Sequence, residues 1–362
     1  MVSIELNKII IHELVKEKNE QIQPLIIRDH VLSDKSQSAI DLVKGIVELY
    51  GKKNNSSQYG IFRQGIEGGH FPDNFKQYYQ LNDCSDSSFY SLTKVAMGEL
   101  YSRAENVGLA TGGYVLFADY NHTGDRFLLA AMVKQKPGYK ITGTLDLENL
   151  EYIDLSRLYQ AARVNFSKYK AHFSPDQEEE INYLSFVSPG GNQTASGYFI
   201  HAFGCEKGSP SAKATEAVIN GSWDFFTQHD DLKKKAYDFN DTLCQLLDRK
   251  VNNKESVKLS DIEHIARQYF PADSADILSE EFLSYLNSED IGVPSEFIVN
   301  KQKLHKMTHV VYNSDDLKLS FDKEDLGSTP SARFYFDAKS ETLTISELPV
   351  ELLDILTKSI NN

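Results

Sequence analysis

Residues 113–120 (GYVLFADY) and 126–134 (RFLLAAMVK) are two apolar runs that are separated by Asn-His-Thr-Gly-Asp at 121–125. Apolar runs on either side of a short glycine-containing loop are typical of a β-hairpin. Because this loop is longer than a two-residue turn, the pattern predicts a hairpin with a wider connection. This is the strongest hairpin signal in the chain, and it predicts an antiparallel pair of strands.

Segments on both sides of this hairpin are predicted to extend the sheet and to add helices. Residues 36–50 carry apolar side chains at helical spacing, with Asp34 or Ser36 as the N-cap. Residues 89–107 show a second apolar helical face. Residues 52–88 are rich in Gly, Asn, Ser, Gln and Asp, which predicts a loop with short elements. Further strands are predicted at residues 4–11, 21–31, 139–147, 152–166 and 183–187.

In the second half of the chain, the spacing of apolar residues changes first to that of helices and then back to that of strands. Helices are predicted at residues 212–226, 232–251, 259–269 and 274–287. Short strands follow at residues 309–312, 317–321, 332–336 and 342–345, and a helix with proline in its first turn closes the chain at 349–360.

These segments together predict an α+β fold. It has an N-terminal, mainly antiparallel sheet with helices, a helical middle, and a small C-terminal β-rich segment with a terminal helix. The predicted domains are 1–190 (α+β), 191–295 (helical) and 296–362 (a small acidic segment of hairpins and a helix).

Composition excludes several classes of protein. The chain has 362 residues, of which 41 % are hydrophobic and 25 % are charged, as in ordinary folded domains. No apolar run reaches the length of a membrane helix, and the N-terminus lacks an apolar signal core. Cys84, Cys205 and Cys244 lie far apart, which argues against a disulfide framework or a zinc ribbon. We therefore expect a cytoplasmic protein.

Charge is distributed unevenly along the chain. The formal net charge is −14, and residues 261–362 alone carry 9 basic and 19 acidic side chains, a net charge of −10. Residues 206–260 carry 9 of each sign and are neutral. The middle of the chain is therefore the part least repelled by a polyanion.

No catalytic or metal-binding motif is complete. His12-Glu13 begins like a zinc-protease motif, but the second histidine is missing because position 16 is Lys. Residues 204–213 contain glycine and lysine but lack the Gly-Lys-Ser/Thr ending of a phosphate loop. The acidic residues Asp73, Asp176 and 178–180 are better explained as a solvated face. The sequence predicts neither a catalytic site nor a metal or cofactor site.

Lys233-Lys234-Lys235 is the only run of three basic residues, and Arg249, Lys250 and Lys254 follow it. Such a run can contact nucleic-acid phosphates. Acidic residues interleave with it, so a mixed-sign solvated helix face is the alternative interpretation.

Several blocks in a fixed order resemble one known family. They include IIIHEL at 9–14, LIIRD at 25–29, GGYVLFADY at 112–120, IDLSRLYQAARVNFSKY at 153–169, YFIHAFGC at 198–205 and LSFDKEDLGS at 319–328. This set resembles, nearly from end to end, the bacterial nucleoid-associated protein family known as NdpA. The resemblance implies a cytoplasmic protein that localises with the nucleoid and associates with DNA, without assigned catalytic residues or cofactors. Arg163, Lys207 and Lys213 are the matched positions where a polar role is most plausible.

Three hypotheses follow for function. The first is a non-enzymatic nucleoid-associated protein that binds double-stranded DNA through phosphates, independently of sequence. In the second, the protein reaches the nucleoid through a DNA-processing protein partner that docks on the acidic C-terminal part. The third is an undetected metal-dependent nuclease. A homodimer is expected only because two-fold dimers are common. The candidate nucleic-acid contacts are Arg163, Lys207, Lys213, Lys233, Lys234, Lys235, Arg249, Lys250 and Lys254.

Overall fold

The hairpin predicted at residues 113–134 forms the second and third strands of a seven-stranded antiparallel sheet in the computed structural model. The structure describes residues 3–50, 52, 55, 57–63, 65–81, 84–174, 181–187, 193–207, 211–314 and 317–360. The first part of the chain contains, in order, β1 (Glu5–Leu14), α1 (Gln37–Leu49), β2 (Ser57–Phe62), α2 (Phe71–Leu81), α3 (Asp86–Glu105), β3 (Gly113–His122), β4 (Asp125–Val133), β5 (Gln135–Ile141), β6 (Leu147–Ile153), β7 (Gln160–Asn165), α4 (Phe166–His172), β8 (Leu184–Val187), α5 (Gln193–Ala202) and β9 (Cys205–Lys207). The spatial order of the sheet is β1-β3-β4-β7-β8-β2-β9.

Both faces of the sheet are buried. Val115 and Phe117 on β3 point into one core, whereas Leu116 and Ala118 point into another. Helix α1 covers the second core, and α2, α3 and α5 cover the first. Because side chains alternate between the two faces of a strand, a strand buried on both faces needs a continuous apolar run. This explains why the two runs of the central hairpin do not alternate with polar residues.

Helix α1 confirms the prediction from its spacing and cap. The side chain of Ser36 accepts a hydrogen bond from the backbone N–H of Ala39 at 3.5 Å. Val43 and Ile46, one turn apart, are fully buried against the sheet. The outer β5–β6 hairpin, by contrast, is a separate two-stranded sheet whose side chains are mostly exposed.

Several predictions for the first part of the chain are wrong. The connection of the central hairpin is not wide: His122 pairs with Asp125, so the turn consists of Thr123 and Gly124 alone, both with positive φ (49° and 91°), as two-residue hairpin turns require. Residues 139–147 are not one strand, because they span the turn between β5 and β6.

Residues 21–31 do not form a regular strand; Ile26 makes a single bridge to Glu13 on the edge strand β1. Pro24 within this stretch lacks a backbone N–H and cannot donate to a ladder. Residues 52–88 are not mainly loop, because they contain β2 and the three-turn helix α2. Phe71 and Phe75, which α2 buries, stand among many polar residues in the sequence, so the apolar spacing of a helix is not evident there.

The helical middle confirms all four predicted helices. It contains α6 (Ser211–Gln228), α7 (Ala236–Asn253), β10 (Val257–Lys258), α8 (Leu259–Ala266), α9 (Ala275–Leu286), β11 (Glu296–Phe297) and α10 (Lys301–Thr308). Its core is aromatic: the rings of Phe226 and Phe239 stack with centroids 4.1 Å apart, and Phe282 packs against both.

The C-terminal segment confirms the predicted short strands and terminal helix. It contains β12 (His309–Asn313), β13 (Lys318–Asp322), β14 (Leu326–Gly327), β15 (Phe334–Asp337), β16 (Thr342–Ile345) and α11 (Val350–Ile360). None of the side chains of α11 is buried. The α+β fold class predicted from the sequence is thereby confirmed.

The division into domains 1–190, 191–295 and 296–362 stays a prediction. Helix α5 and strand β9 pack into the core of the first sheet, with Phe199 and Phe203 fully buried there. The second core begins at Ala214 on α6 and extends to Leu304 on α10.

The backbone at Gly112, just before β3, passes very close to the end of β1. A Cβ atom on Gly112 would lie 1.8 Å from the carbonyl oxygen of Leu14. We expect Gly112→Ala to lower the free energy of unfolding by about 3 kcal/mol, because backbone has to move to relieve the overlap. Gly143→Ala, where the Cβ meets nothing within 4 Å, is the matched control. Urea unfolding of both variants checks the prediction, and an equal small effect in the two would contradict it.

Candidate nucleic-acid interface

Arg163 is the most deeply placed of the candidate residues. It lies on β7, the strand between β4 and β8, and its exposed fraction is 9 %. Its guanidinium carbon lies 4.3 Å from the ring centroid of Tyr50 and 4.8 Å from that of Phe127. These contacts hold the charge between two aromatic faces, where it is withdrawn from solvent.

The charge of Arg163 is paired with a residue of the helical middle. Nη2 of Arg163 donates to Oε1 of Glu289 at 2.5 Å, and Nδ2 of Asn165 donates to Oε2 of Glu289 at 3.1 Å. Nζ of Lys168 donates to the backbone carbonyl of Glu289 at 2.5 Å. Glu289 therefore connects the turn that follows α9 to the central sheet.

Neighbouring hydrogen bonds strengthen this connection. Oδ1 of Asn287 accepts from the backbone N–H of Ser57 at 2.6 Å, while its Nδ2 donates to the carbonyl of Ser57 at 3.0 Å. The hydroxyl of Tyr59 donates to the carbonyl of Asn287 at 2.6 Å. The turn after α9 is thus tied to both β2 and β7. A cleft of about 670 Å³, the junction cleft, remains beside these contacts and is lined partly by Asp125 and Asp290.

The electrostatics favour a charged pair at this junction. Burial alone would raise the pKa of Glu289, but attraction to Arg163 and Lys168 and the hydrogen bond from Asn165 outweigh it. The pKa of Glu289 therefore lies below its ordinary value. For Arg163 the effects have the opposite signs. Burial alone would lower its pKa, but the nearby carboxylate of Glu289 outweighs burial, so the pKa of Arg163 lies above its ordinary value. Because the guanidinium of Arg163 is buried and paired, we leave this residue out of the candidate DNA-contacting surface.

Lys233, Lys234 and Lys235 form a short 3₁₀ turn that leads into α7. Lys233 and Lys234 are exposed, and no ion pair or side-chain hydrogen bond involves them within the described chain. Nζ of Lys235 donates to the backbone carbonyl of Tyr269 at 2.6 Å, so this lysine has a structural partner. Two of the three lysines are thus available to an anion.

The remaining basic candidates of α7 lie at its other end. Arg249 and Lys254 are exposed. Nζ of Lys250 is neutralised by Asp261 at 3.0 Å and by Glu255 at 3.3 Å.

An acidic stretch separates the two groups of free cations. The two groups lie towards opposite ends of helix α7, which has 18 residues and is about 27 Å long. Asp238 and Asp248 are exposed along the helix between them. The candidate cations of α7 therefore form two small groups and no continuous basic face.

Lys207 and Lys213 lie near the boundary between the sheet and the helical middle. Lys207 is the last residue of β9 and pairs with Gly60 of β2, while its side chain lies outside the described residues. Lys213 is half-buried in the first turn of α6. Whether any of the predicted residues contacts DNA stays a prediction.

Within the described ranges, no three His, Cys, Asp or Glu residues are grouped so that they could hold a metal ion. Among the described helices, none is long and apolar enough to cross a membrane. Asp176 and residues 178–180, which were predicted to form a solvated acidic face, lie outside the described residues.

Glu289 is the important residue that the sequence did not reveal. It belongs to Asn-Ser-Glu-Asp at 287–290, which is typical of a polar helix-ending turn. Nothing local distinguishes Glu289 from Asp290 beside it. Its role depends on Arg163, which is 126 residues away in the sequence.

Comparisons with known proteins give a consistent result. A family model described as nucleoid-associated protein YejK matches residues 10–353. A nucleoid-associated protein of Pseudomonas aeruginosa is 27 % identical over 350 residues, which cover 96 % of each chain. A nucleoid-associated protein of Metapseudomonas resinovorans is 25 % identical over 353 residues, covering 98 % of this chain and 99 % of the relative. One of Azotobacter vinelandii is 24 % identical over 349 residues, covering 96 % and 97 %.

The pair between Arg163 and Glu289 generates a stability prediction. We expect Glu289→Gln to lower the free energy of unfolding at neutral pH by about 3 kcal/mol, because it leaves the buried charge of Arg163 without a counter-charge. Urea unfolding measures the loss. Asp290→Asn, at an exposed neighbour without an ion pair or side-chain hydrogen bond in the described chain, is the control and should change little.

The pH dependence of the same variant provides a second readout. Since the pKa of Glu289 is lowered by folding, its contribution is present above the ordinary carboxyl pKa and is lost as pH falls below it. The wild-type protein should therefore lose more stability than Glu289→Gln on acidification through that range. Parallel stability curves for the two proteins would contradict an ionised Glu289.

Proposed function

Because the chain belongs to the family of the nucleoid-associated protein YejK, as the order of its sequence blocks predicted, we propose that it contacts double-stranded DNA directly through phosphates. Family membership agrees with the expected place of the protein at the nucleoid. The proposed contact is independent of base sequence, since phosphate contacts position a protein on DNA without reading bases.

The observation that carries this proposal is the pair of exposed lysines on the turn between α6 and α7. Lys233 and Lys234 are adjacent, solvent-facing and without an ion pair among the described residues. Charges more than about 10 Å apart are largely screened at physiological salt. A duplex therefore responds to the local charges, which are Lys233, Lys234 and Lys235 against the exposed Asp230 and Asp231, more than to the net charge of −14.

The number of free cations sets the expected salt dependence. Lys233, Lys234, Arg249 and Lys254 are the exposed candidates on the helical middle. Four phosphate contacts correspond to a slope of about −3.6 in log affinity against log salt. A fourfold rise in salt should then weaken binding by about 100-fold.

A second candidate function is favoured by the C-terminal helix. Leu352, Leu353, Leu356 and Ile360 lie along one side of α11, and each is at least 38 % exposed. An isolated helix of 11 residues is marginal in water, so this apolar side gains stability from a partner. The surrounding net charge of −10 over residues 261–362 suits a protein with a basic surface. In this alternative, a DNA-processing protein brings the chain to the nucleoid.

The metal-dependent nuclease and the homodimer each stay predictions. Incubation of purified protein with nucleic acid and divalent metals tests the first, and light scattering at several protein concentrations tests the second.

Direct DNA binding is tested on protein stripped of nucleic acid, by fluorescence anisotropy of a labelled duplex at two salt concentrations. We expect the double variant Lys233→Glu and Lys234→Glu to weaken binding by about 10-fold and to reduce the magnitude of the salt slope by about 2, because two phosphate contacts are lost. The control is Lys18→Glu with Lys35→Glu, which changes net charge equally at two exposed lysines elsewhere. Equal effects of the two double variants, or no duplex binding at low salt, would contradict the proposal.

The partner hypothesis is tested in cells with a fluorescent fusion of the full chain. We expect Leu353→Glu with Leu356→Glu to disperse the fusion from the nucleoid, because charge is placed on the apolar side of α11. Lys358→Glu changes the charge by the same amount on the opposite, polar side of the helix and should leave localisation unchanged. Circular dichroism establishes that both variants are folded. Retained localisation of the leucine variant argues against this candidate.

A further inference from the structure

A second cleft lies on the part of the chain that forms the seven-stranded sheet. It has a volume of about 580 Å³, within the range of small-molecule sites. It is formed where β2 ends and α2 begins, beside α4. We call it the aromatic cleft, and the residues that matter for its chemistry are Arg63, Asp73, Lys76, Tyr169, Phe173 and Tyr183.

Arg63 is unusual among the arginines that are largely withdrawn from solvent. Arg126 is paired with Asp119 at 2.6 Å, and Arg163 is paired with Glu289. Nε is buried without a hydrogen-bond partner in both Arg63 and Arg163, but the guanidinium of Arg63 also has no ion pair within the described chain. Buried donors are nearly always satisfied in native proteins, so an unpaired one in a cleft indicates an acceptor supplied from outside.

The far wall of the aromatic cleft is built from rings. The centroids of Tyr169 and Tyr183 lie 4.9 Å apart, and that of Phe173 lies 5.0 Å from Tyr169. Tyr169 and Tyr183 are buried, whereas Phe173 is 58 % exposed. An exposed phenyl ring that lines a cleft, supported from behind by buried rings, offers a rigid surface on which a flat group can stack.

Two lysines lie on the helices that carry parts of the aromatic cleft, and one of them, Lys76, lines it. Lys76 on α2 and Lys170 on α4 are both exposed and have no ion pair among the described residues. Among the described residues, Asp73 is the one carboxylate that lines the cleft. The described side chains of the aromatic cleft therefore include two cations, Arg63 and Lys76, against one carboxylate. A ligand that suits it has a flat aromatic part and an anionic part.

We propose that the aromatic cleft binds one nucleoside phosphate unit, with its base stacked on Phe173 and its phosphate bound by Arg63 and Lys76. Stacking of bases on aromatic side chains beside cations is the usual way in which single-stranded nucleic acid is bound. The bases of an intact duplex are already stacked on one another, so the ligand is a free nucleotide or an unpaired nucleotide of a strand. The inference does not depend on duplex binding by the helical middle, and either can fail alone.

The experiment uses the full-length protein and four probes. Isothermal titration calorimetry is run with thymidine 5′-phosphate, with thymidine and with inorganic phosphate, and fluorescence anisotropy is run with a labelled short oligothymidylate. We expect the nucleotide to bind more tightly than either of its parts. The tighter of the nucleotide and the oligothymidylate identifies the source of the ligand.

Variants separate the two halves of the site. We expect Phe173→Ala to weaken binding of the nucleotide and of the oligothymidylate by about 10-fold or more, and Lys76→Gln to weaken both but not thymidine. Both side chains are exposed, so neither change should prevent folding. Phe336→Ala, at another exposed phenyl ring (47 %), is the control.

The inference is overturned if neither nucleotide nor oligothymidylate binds, if inorganic phosphate alone binds as tightly as the nucleotide, or if Phe173→Ala behaves like Phe336→Ala. The duplex probe distinguishes this result from a failure of the proposed function. Phe173→Ala should leave duplex binding unchanged, and the Lys233→Glu and Lys234→Glu variant should leave nucleotide binding unchanged.

Discussion

The burial of β3 and β4 on both faces is the constraint from which the rest of the fold follows. Their side chains enter two separate cores, so helices have to cover the sheet on each side. Helix α1 supplies one cover, and α2, α3 and α5 supply the other. Burying both faces of each strand removes apolar area from water on two sides, so this hairpin contributes hydrophobic stabilisation to both cores. It also fixes the outer strands β1 and β7, because each pairs with one member of the hairpin.

The pair between Arg163 and Glu289 connects this sheet to the helical middle. An arginine buried between Tyr50 and Phe127 is costly without a counter-charge, and the only carboxylate that contacts it comes, within the described chain, from the turn after α9. Hydrogen bonds between Asn287 and Ser57 add a backbone match at the same place. The turn that ends α9 is thereby held at one position on the sheet. Arg163 thus holds the helical middle against the sheet, and we leave it out of the candidate DNA-contacting surface.

The acidic total of the chain makes free cations informative. Most buried or half-buried basic side chains have carboxylate or carbonyl partners, as Arg126, Lys235 and Lys250 do. Unpaired cations occur together on the turn before α7 and around the aromatic cleft. These two surfaces offer different chemistry, since lysines on an open turn suit a phosphate backbone, whereas a cation beside exposed Phe173 suits a base with its phosphate. The apolar side of α11 suits neither and points to a protein contact.

The sequence by itself determined the features that depend on local period and caps. The central hairpin, α1 with its Ser36 cap, the four helices from residue 211 to 286 and the C-terminal strands all follow from side chains a few residues apart. The ordered blocks also predicted the family, which the comparisons confirmed. Helix α2 was not predicted from the sequence, because its buried Phe71 and Phe75 stand among polar residues. Only the tertiary structure decided that Arg163 is paired, that Lys250 is neutralised, and that Arg63 meets Phe173 in one cleft. Charge pairing and burial join residues that are distant in sequence, and no local pattern encodes which of them meet.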